Sequence, residues 1–385
     1  MAMTATAAPP ATRVSVVIPC LDEAETITEC VTAARAVLEE NGLAGEVIVV
    51  DNGSTDGSGD LARAAGAVVV VERRRGYGSA YLAGLAAARG DYIVMVDADL
   101  TYDFREIPRF VHELEDGAQL VVGNRMRGLQ PGSMSRLSRL GNPLLSGFLN
   151  ALHRTNVGDA HCGMRALRRG VLPVLNMRTV GMEFASEMII RATREQLDVR
   201  EIPIELHARV GTSKLSPFRD GWRHLRLILV YNPTFLFLLP GAVMLLAGSL
   251  ISLLVFVQLP IGRDLYVHSL ILGCLLIILG VQAIGFGLCA RAYGVYFISD
   301  QDKLFQRLRS RFRLEHGLVL AGIVSIAGVA LFGIVFGEWA ASGFGTLSEA
   351  RLAILAATLI AVAAQIFFTS FMLSILGLRR RPDDL

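Results

Sequence analysis

Charge is scarce in this 385-residue chain, and most of it sits before the long apolar runs begin. Aspartate, glutamate, lysine and arginine make up 19% of the residues, against about a quarter in soluble domains. The net charge is only +2, which gives no electrostatic footprint for a nucleic-acid partner. The five cysteines, Cys20, Cys30, Cys162, Cys274 and Cys289, form no C-x-x-C pair. That excludes a zinc ribbon and a disulfide framework and suits a reducing cytosol. The first thirteen residues, MAMTATAAPPATR, lack a basic stretch followed by an apolar one, so residues 1–12 are expected to be a disordered lead rather than a secretory signal. No G-x-x-x-x-G-K-[ST] loop occurs, which removes the usual ATPase signature.

What is abundant is apolar: 52% of the residues are hydrophobic and the mean hydropathy is +0.48. The excess begins near Thr234. A bilayer-crossing helix needs about 20 apolar residues, and four runs supply them: Thr234–Val257, Ser269–Gly287, Gly317–Val335 and Leu352–Leu376. Buried helices of a large soluble core would be the alternative, but four uncharged runs in succession argue against it. The expected division is therefore a soluble domain over 13–212, an amphipathic helix over 213–232, a four-span domain over 233–378 and a basic tail over 379–385.

Loop charge orients the spans. Arg291, Lys303, Arg307, Arg309, Arg311 and Arg313 lie between spans two and three, and Arg379, Arg380 and Arg381 follow span four. Arg263 and Arg351 on the other side are diluted by Asp264, Glu338 and Glu349. The basic side is cytoplasmic, and an even number of spans puts both termini and the soluble domain there, in a multi-pass protein of the cell membrane. Arg219, Arg223 and Arg226 share helical spacing with Trp222, Leu225 and Leu229, which predicts a helix lying on anionic membrane lipid. The spans carry almost no ionisable group, against the expectation for a proton-coupled transporter. Self-association of such a bundle stays open.

In the soluble half, apolar strands at Val14–Ile18, Glu46–Val50, Ala67–Val71, Tyr92–Val96 and Leu120–Gly123 alternate with helical stretches such as Ala24–Leu38 and Ser79–Arg89. That alternation predicts an α/β domain with a mostly parallel sheet, in which ligands bind beyond the carboxyl ends of the strands. Those ends read Pro19-Cys20-Leu21-Asp22-Glu23, Asp51-Asn52-Gly53-Ser54-Thr55-Asp56-Gly57, Asp97-Ala98-Asp99 and Gly123-Asn124-Arg125. Helix capping accounts well for Ser54 and Asp56. It accounts poorly for Asp97 and Asp99, two carboxylates one residue apart after a buried strand. These repel unless a cation lies between them, and hard oxygen ligands suit Mg²⁺ or Mn²⁺. Such an ion completes its shell with phosphate oxygens, so a phosphate-bearing substrate is implied.

The segments VVIPCLDEAETI, VIVVDNGSTDGS, RGYGSAYLAG and VDADLTYD, in that order, resemble family 2 glycosyltransferases of the GT-A fold. VVGNRM, VGDAHCGMRALRR and the stretch from Arg209 to Lys214 resemble the dolichol- or polyprenyl-phosphate sugar synthase branch. The resemblance spans roughly 14–230, and the four spans are similar to those of bacterial polyprenyl-phosphate glucosyltransferases. It implies that Pro19, Leu21 and Glu23 line a nucleotide pocket and that Asp51 meets the base. It further implies that Asp97, with Ala98, contacts ribose or diphosphate, and that Asp99 with Asp97 holds the metal. Arg209 and Lys214 would clamp the diphosphate. Arg125 would lie near the sugar or the acceptor phosphate. Read from the residues, Arg136, Arg139 and Arg165 are further candidates to hold the lipid phosphate, with surface solvation the alternative for Arg139. Asp159 would stand near the transferred sugar as the catalytic carboxylate, orienting sugar or acceptor or acting as a base. The donor implied is a nucleotide-sugar and the acceptor a polyprenyl or dolichyl phosphate.

Two positions depart from the family pattern. Thr101 stands where some relatives carry a metal-ligating Gln, and Arg209 and Lys214 are one residue closer together than in the eukaryotic mannose enzyme. GDAHCGMRA and GMEFASEM resemble segments of dolichol-phosphate glucose synthases, which implies UDP-glucose, with GDP-mannose and UDP-N-acetyl sugars left open. Two rivals remain. A processive polysaccharide synthase would carry Q-x-x-R-W, which is absent from the sequence. A lipid-linked-sugar translocase or scaffold would use the head only for binding. His161, beside Cys162, reads as a loop residue; His207 and His224 read as interfacial. Glu183 reads as an acid at a helix start, and Glu187 as that or a site residue.

Overall fold

The computed structural model describes residues 13–129, 133–210, 217–257, 267–297, 314–344 and 350–377. The chain divides between Ile228 and Leu229 into two compact units.

The first unit is built on one sheet of seven strands: β1 Val14–Cys20, β2 Gly45–Asp51, β3 Val68–Val71, β4 Tyr92–Met95, β5 Leu120–Leu129, β6 Arg165–Arg168 and β7 Val199–Leu206. Their order across the sheet is β3-β2-β1-β4-β6-β5-β7. The crossovers between β1, β2, β3 and β4 make parallel pairs, as the near-continuous apolar runs require. The sequence reading did not include β6. It runs antiparallel to both β4 and β5, so its leading end, not its trailing end, faces the carboxyl edge. The loop 159–163 is thereby delivered to the same edge as the D-x-D segment.

Helices cover the sheet: α1 Ile27–Glu40, α2 Ser58–Ala64, α3 Tyr77–Ala87, α4 Ile107–Glu115, α5 Arg136–His153, α6 Leu172–Leu175, α7 Phe184–Arg194 and α8 Pro217–Val230. The first helix starts at Ile27 rather than Ala24 because residues 22–24 give their amides to the next loop, to the side chains of Ser54, Ser58 and Asp56. The core between sheet and helices is apolar, with Ile18, Ile48, Ile93, Phe110 and Leu120 fully buried. The amphipathic segment is present as α8, with Phe218 and Trp222 exposed, and the division between units falls inside this helix. Gly211 to Ser216, and Lys214 with them, lie outside the described residues.

The second unit contains four helices long and apolar enough to cross a membrane. They are Thr234–Val257, which opens with a π-helical turn before α9 (Leu239–Val257), then α10 Val267–Phe297, α11 Leu314–Ala341 and α12 Ala350–Leu376. Each reaches as far as the expected span or beyond it, α10 by some ten residues at its end. The helices α9 and α10 approach through small residues, as membrane helices do: a Cβ on Gly248 would fall 2.4 Å from the Gly273 carbonyl oxygen. Arg291, near the end of α10, donates to the Thr234 hydroxyl. The other loop and tail charges used for orientation, Arg351, Glu338 and those of the described helices excepted, lie outside the described residues.

Candidate active site

The carboxyl edge of the sheet is stitched together before any ligand is considered. Cys20 pairs with Asp51 at the ends of β1 and β2, placing the loops that follow side by side. Ser54 and Ser58 accept the amides of Asp22 and Glu23 at 3.0 and 2.9 Å, and Asp22 accepts the Thr55 amide at 2.7 Å. Asp51 turns its carboxylate back onto the Ser54 amide at 2.8 Å. Asp56 does accept the Ser58 amide at the start of α2, as a cap would, but it also accepts the Ala24 amide across the loops. Asn52 ties in the third loop, donating to the carbonyls of Glu72 and Arg74 and accepting the Gly76 amide at 2.7 Å.

Asp97 and Asp99 follow β4. Both phenols at the start of α3 address Asp97: the Tyr77 and Tyr81 hydroxyls lie 3.0 and 3.2 Å from Oδ1. Burial, and then the neighbouring charge of Asp99, push the Asp97 carboxyl up to about 6, against the phenols. A Cβ on Gly163 would stand 2.3 Å from Asp97 Oδ2, so that position admits no side chain without moving the carboxylate. Asp99 Oδ1 accepts the Thr101 hydroxyl at 2.6 Å and the Thr101 amide at 3.2 Å. Thr101 therefore orients the carboxylate. Leu100 between them is held at φ 58°, an unusual region for a branched side chain. The Ala98 carbonyl accepts the Thr26 hydroxyl at 2.6 Å.

Arg209, beyond β7, spans these loops. Its Nη1 lies 3.2 Å from Asp99 Oδ2 and its Nη2 3.2 Å from Glu23 Oε1. Glu23, Asp99 and Arg209 are thus in contact, with Pro19, Leu21 and Asp51 on the adjoining strand ends.

On the far side of the edge, Arg125 and Asp159 form a two-toothed ion pair. Nε is 2.7 Å from Oδ2 and Nη2 2.9 Å from Oδ1, and the Arg125 amide also reaches Oδ2 at 3.2 Å. The Asp159 side chain is 0% exposed and that of Arg125 11%. The Asp159 amide donates to Glu201 at 2.8 Å. The Tyr102 hydroxyl accepts the Gly163 amide at 2.8 Å and meets Arg125 Nη1 at 3.4 Å, linking this pair to the segment after β4.

Three sequence expectations change here. Arg165, expected at an acceptor phosphate, is 1% exposed. It donates to the carbonyls of Cys162, Ala185 and Ala160 at 2.7–2.8 Å, so it braces the 159–163 loop against α7 and meets no incoming anion. His224, expected at the interface, is buried; Ser186 Oγ lies 2.8 Å from its Nδ1 and 3.3 Å from His161 Nε2. Burial, and then Arg165, push its imidazole down to about 4. Glu187 is no helix-start ornament. Fully buried, it accepts the amides of Arg178 and Thr179, the Thr179 hydroxyl and the Arg191 guanidinium. This fixes residues 178–180 where their carbonyls abut α3: a Cβ on Gly76 would lie 2.2 Å from the Val180 oxygen. The G-x-G of the sequence thus serves close packing that aims Tyr77 at Asp97. Arg136 and Arg139 stand exposed on the first turn of α5.

No group of three or more His, Cys, Asp or Glu side chains suited to a metal occurs among the described residues. The fit is to a different kind of site. Two adjacent carboxylates raise each other's affinity for a cation, and a guanidinium already leans on one of them. That donor set suits an ion whose remaining ligands come from a diphosphate and water.

Residues 15–175 match the profile described as glycosyl transferase family 2, and residues 288–377 the family 2 C-terminal transmembrane region. The low-salt glycan biosynthesis hexosyltransferase Agl6 of Haloferax volcanii is 38% identical over 94% of this chain and 89% of its own. The undecaprenyl-phosphate 4-deoxy-4-formamido-L-arabinose transferase of Salmonella paratyphi A is 31% identical over 74% of this chain and 90% of its own. A dolichyl-phosphate hexose transferase of Haloferax volcanii is 34% identical over 46% of this chain and 76% of its own. Among solved structures, glucosyl-3-phosphoglycerate synthase of Mycobacterium tuberculosis shares 26% identity over 57% of this chain and 80% of its own, with a TM-score of 0.48. The chain belongs to glycosyl transferase family 2. It is a glycosyltransferase and a membrane protein, with a GT-A-like domain followed by four apolar helices.

Proposed function

We propose that this enzyme transfers a hexose from a nucleoside diphosphate sugar to a polyprenyl or dolichyl phosphate at the cytoplasmic face of the cell membrane. The observation that carries the reading is the division of the sheet edge into two charged stations. Asp97, Asp99 and Arg209 make one, suited to a metal–diphosphate. Arg125, held by Asp159, makes the other, a cation aimed beside it.

Two anions must meet for this reaction, so charge control matters more than base strength. The acceptor phosphate is already ionised at neutral pH, and no proton need be removed before it attacks the anomeric carbon. In-line attack breaks the bond to the diphosphate and inverts the carbon, turning an α-linked donor into a β-linked product. Arg209, with Lys214, is assigned to the departing diphosphate, and Arg125 to the acceptor phosphate or the sugar. Mg²⁺ or Mn²⁺ on Asp99, with Asp97 beside it, would supply charge neutralisation of the leaving group. Asp159 is assigned to positioning Arg125, because both of its oxygens are committed to that guanidinium. Arg136 and Arg139, exposed beside Leu137 and Leu140 on α5, are assigned to anionic headgroups.

The loop charges and the relatives that act on lipid phosphates support the cytoplasmic placement and the acceptor class. UDP-glucose is the donor we put first, with GDP-mannose next. The test is a panel of nucleotide sugars with polyprenyl phosphate and Mg²⁺ or Mn²⁺, read by mass spectrometry of the lipid fraction. A glycosylated lipid phosphate from UDP-glucose is expected; no glycosylated lipid from any donor would sink the reading.

A further inference from the structure

Asp99 has two carboxylate oxygens, and they are not equivalent. Oδ1 is taken twice by Thr101, through its hydroxyl and its amide. Oδ2 is the oxygen that faces Arg209, 3.2 Å from Nη1. The same guanidinium reaches Glu23 Oε1 from its other terminal nitrogen. A cation that approaches Asp99 through Oδ2 therefore meets one already there. Arg209 is also incompletely satisfied in this position, since its Nε is buried and has no hydrogen-bond partner among the described residues. A buried guanidinium N–H without an acceptor is costly. An anion with several oxygens, such as a diphosphate, would relieve it.

We propose that Arg209 is the resident counter-cation of Asp99, and that it and a divalent metal ion exclude each other at Oδ2 until a nucleoside diphosphate arrives to take the guanidinium. The inference rests on the proposed reading of Asp99 as a metal ligand and goes beyond it in assigning Arg209 two opposite effects. With the nucleotide absent, Arg209 competes with the metal. With the nucleotide present, the guanidinium moves to the phosphates, and arginine and metal then hold the same ligand from two sides. Linkage requires the nucleotide to tighten metal binding by the factor that metal tightens nucleotide binding. The arginine enlarges that factor by making the empty site resist the metal. Metal then enters with the donor rather than ahead of it.

The experiment is Mn²⁺ binding to the full-length protein in detergent, followed by electron paramagnetic resonance of the free ion. Wild type, Arg209→Met and Arg209→Lys are titrated with no nucleotide, with UDP and with GDP. Without nucleotide, Arg209→Met is expected to bind Mn²⁺ about fivefold more tightly than wild type, and with the nucleotide about fivefold more weakly. Arg209→Lys, which keeps the charge but cannot bridge two carboxylates, should fall between them. An Arg209→Met variant that binds Mn²⁺ no more tightly than wild type in the nucleotide-free arm overturns the inference and leaves the metal reading intact. Failure of wild type to bind Mn²⁺ even with UDP or GDP overturns the metal reading itself. Thermal unfolding matched to wild type confirms that the comparison is between folded proteins; if Arg209→Met does not fold, Arg209→Gln takes its place in every arm.

Discussion

Arg125 grips Asp159 with two nitrogens and its own backbone amide, 34 residues apart in sequence, with the carboxylate sealed from solvent. A carboxylate with both oxygens on one guanidinium is a good anchor. Removing it leaves a guanidinium without its partner in a nearly dry place, and breaking a buried pair costs about 3–5 kcal/mol. Asp159→Asn is expected to lower the melting temperature and to weaken acceptor use strongly. The pH profile separates the two roles. If Asp159 positions Arg125, the acid limb of kcat/KM keeps its shape in the variant. Loss of that limb would make Asp159 the general base instead.

Gly163 gives a prediction from space alone. A methyl group there meets Asp97 Oδ2 at 2.3 Å, and the obstacle is a carboxylate held by two phenols. Gly163→Ala should leave the fold in place but raise the donor KM about tenfold or more, since a 1 Å misplacement in a site can cost that much. Calorimetry with the nucleoside diphosphate reads it, and unchanged donor affinity would dissociate the Asp97 pose from donor binding.

The Glu187 carboxylate gathers four donors. Glu187→Gln replaces an acceptor oxygen with a donor facing other donors, which should cost about 2 kcal/mol of stability. It should also weaken donor binding more than Glu187→Asp does, through the 178–180 carbonyls and Tyr77. A thermal melt alongside nucleotide titration checks both parts.

The contacting imidazoles of His161 and His224, with ring centroids 4.3 Å apart, make stability depend on acidity. His224 is pushed from the usual histidine range to about 4 in the folded domain, so the unfolded chain takes up its proton first as the pH falls. Stability is full above about 6.5 and declines between there and 4. From pH 7 to pH 5 the loss is about 2 kcal/mol from this residue, and His161, lowered by burial as well, adds in the same direction. Melting curves across that range should flatten in His224→Gln; an equally steep decline would place the effect elsewhere.

The strands that lead to Asp51 and Asp97 were legible because apolar runs of β-branched residues and the polar residues after them are local signals. The four spans were legible for the same reason. The antiparallel strand Arg165–Arg168 was not, because four residues with three arginine-or-leucine letters carry no period. Nor could the sequence tell a guanidinium that binds phosphate from one that binds carbonyls. Arg125 and Arg165 sit in similar company along the chain, and only the fold turns one to a carboxylate at the edge and the other into the loop behind it. Tyr77 and Asn52 were given no role, and Glu187 was left between a helix start and a site residue, because the partners that decide their roles lie 8 to 24 residues away. A sharper signal was present in Gly76-Tyr77-Gly78, where two glycines flank an aromatic residue and invite the question of what passes so close.

That four-residue strand also sets an order of events. Among the described residues it is the one strand that joins β3-β2-β1-β4 to β5-β7. A chain emerging from the ribosome completes the D-x-D segment long before residue 165 appears. Until then Tyr92–Met95 is a bare edge, and Leu120–Leu129 has nothing to join it to. The D-x-D segment and the Arg125–Asp159 pair become neighbours only when Met95 pairs with Arg165, and Arg209 joins them later still, after β7 has paired with β5. A folding assay that watches nucleotide binding and strand pairing together should see them arrive as one phase.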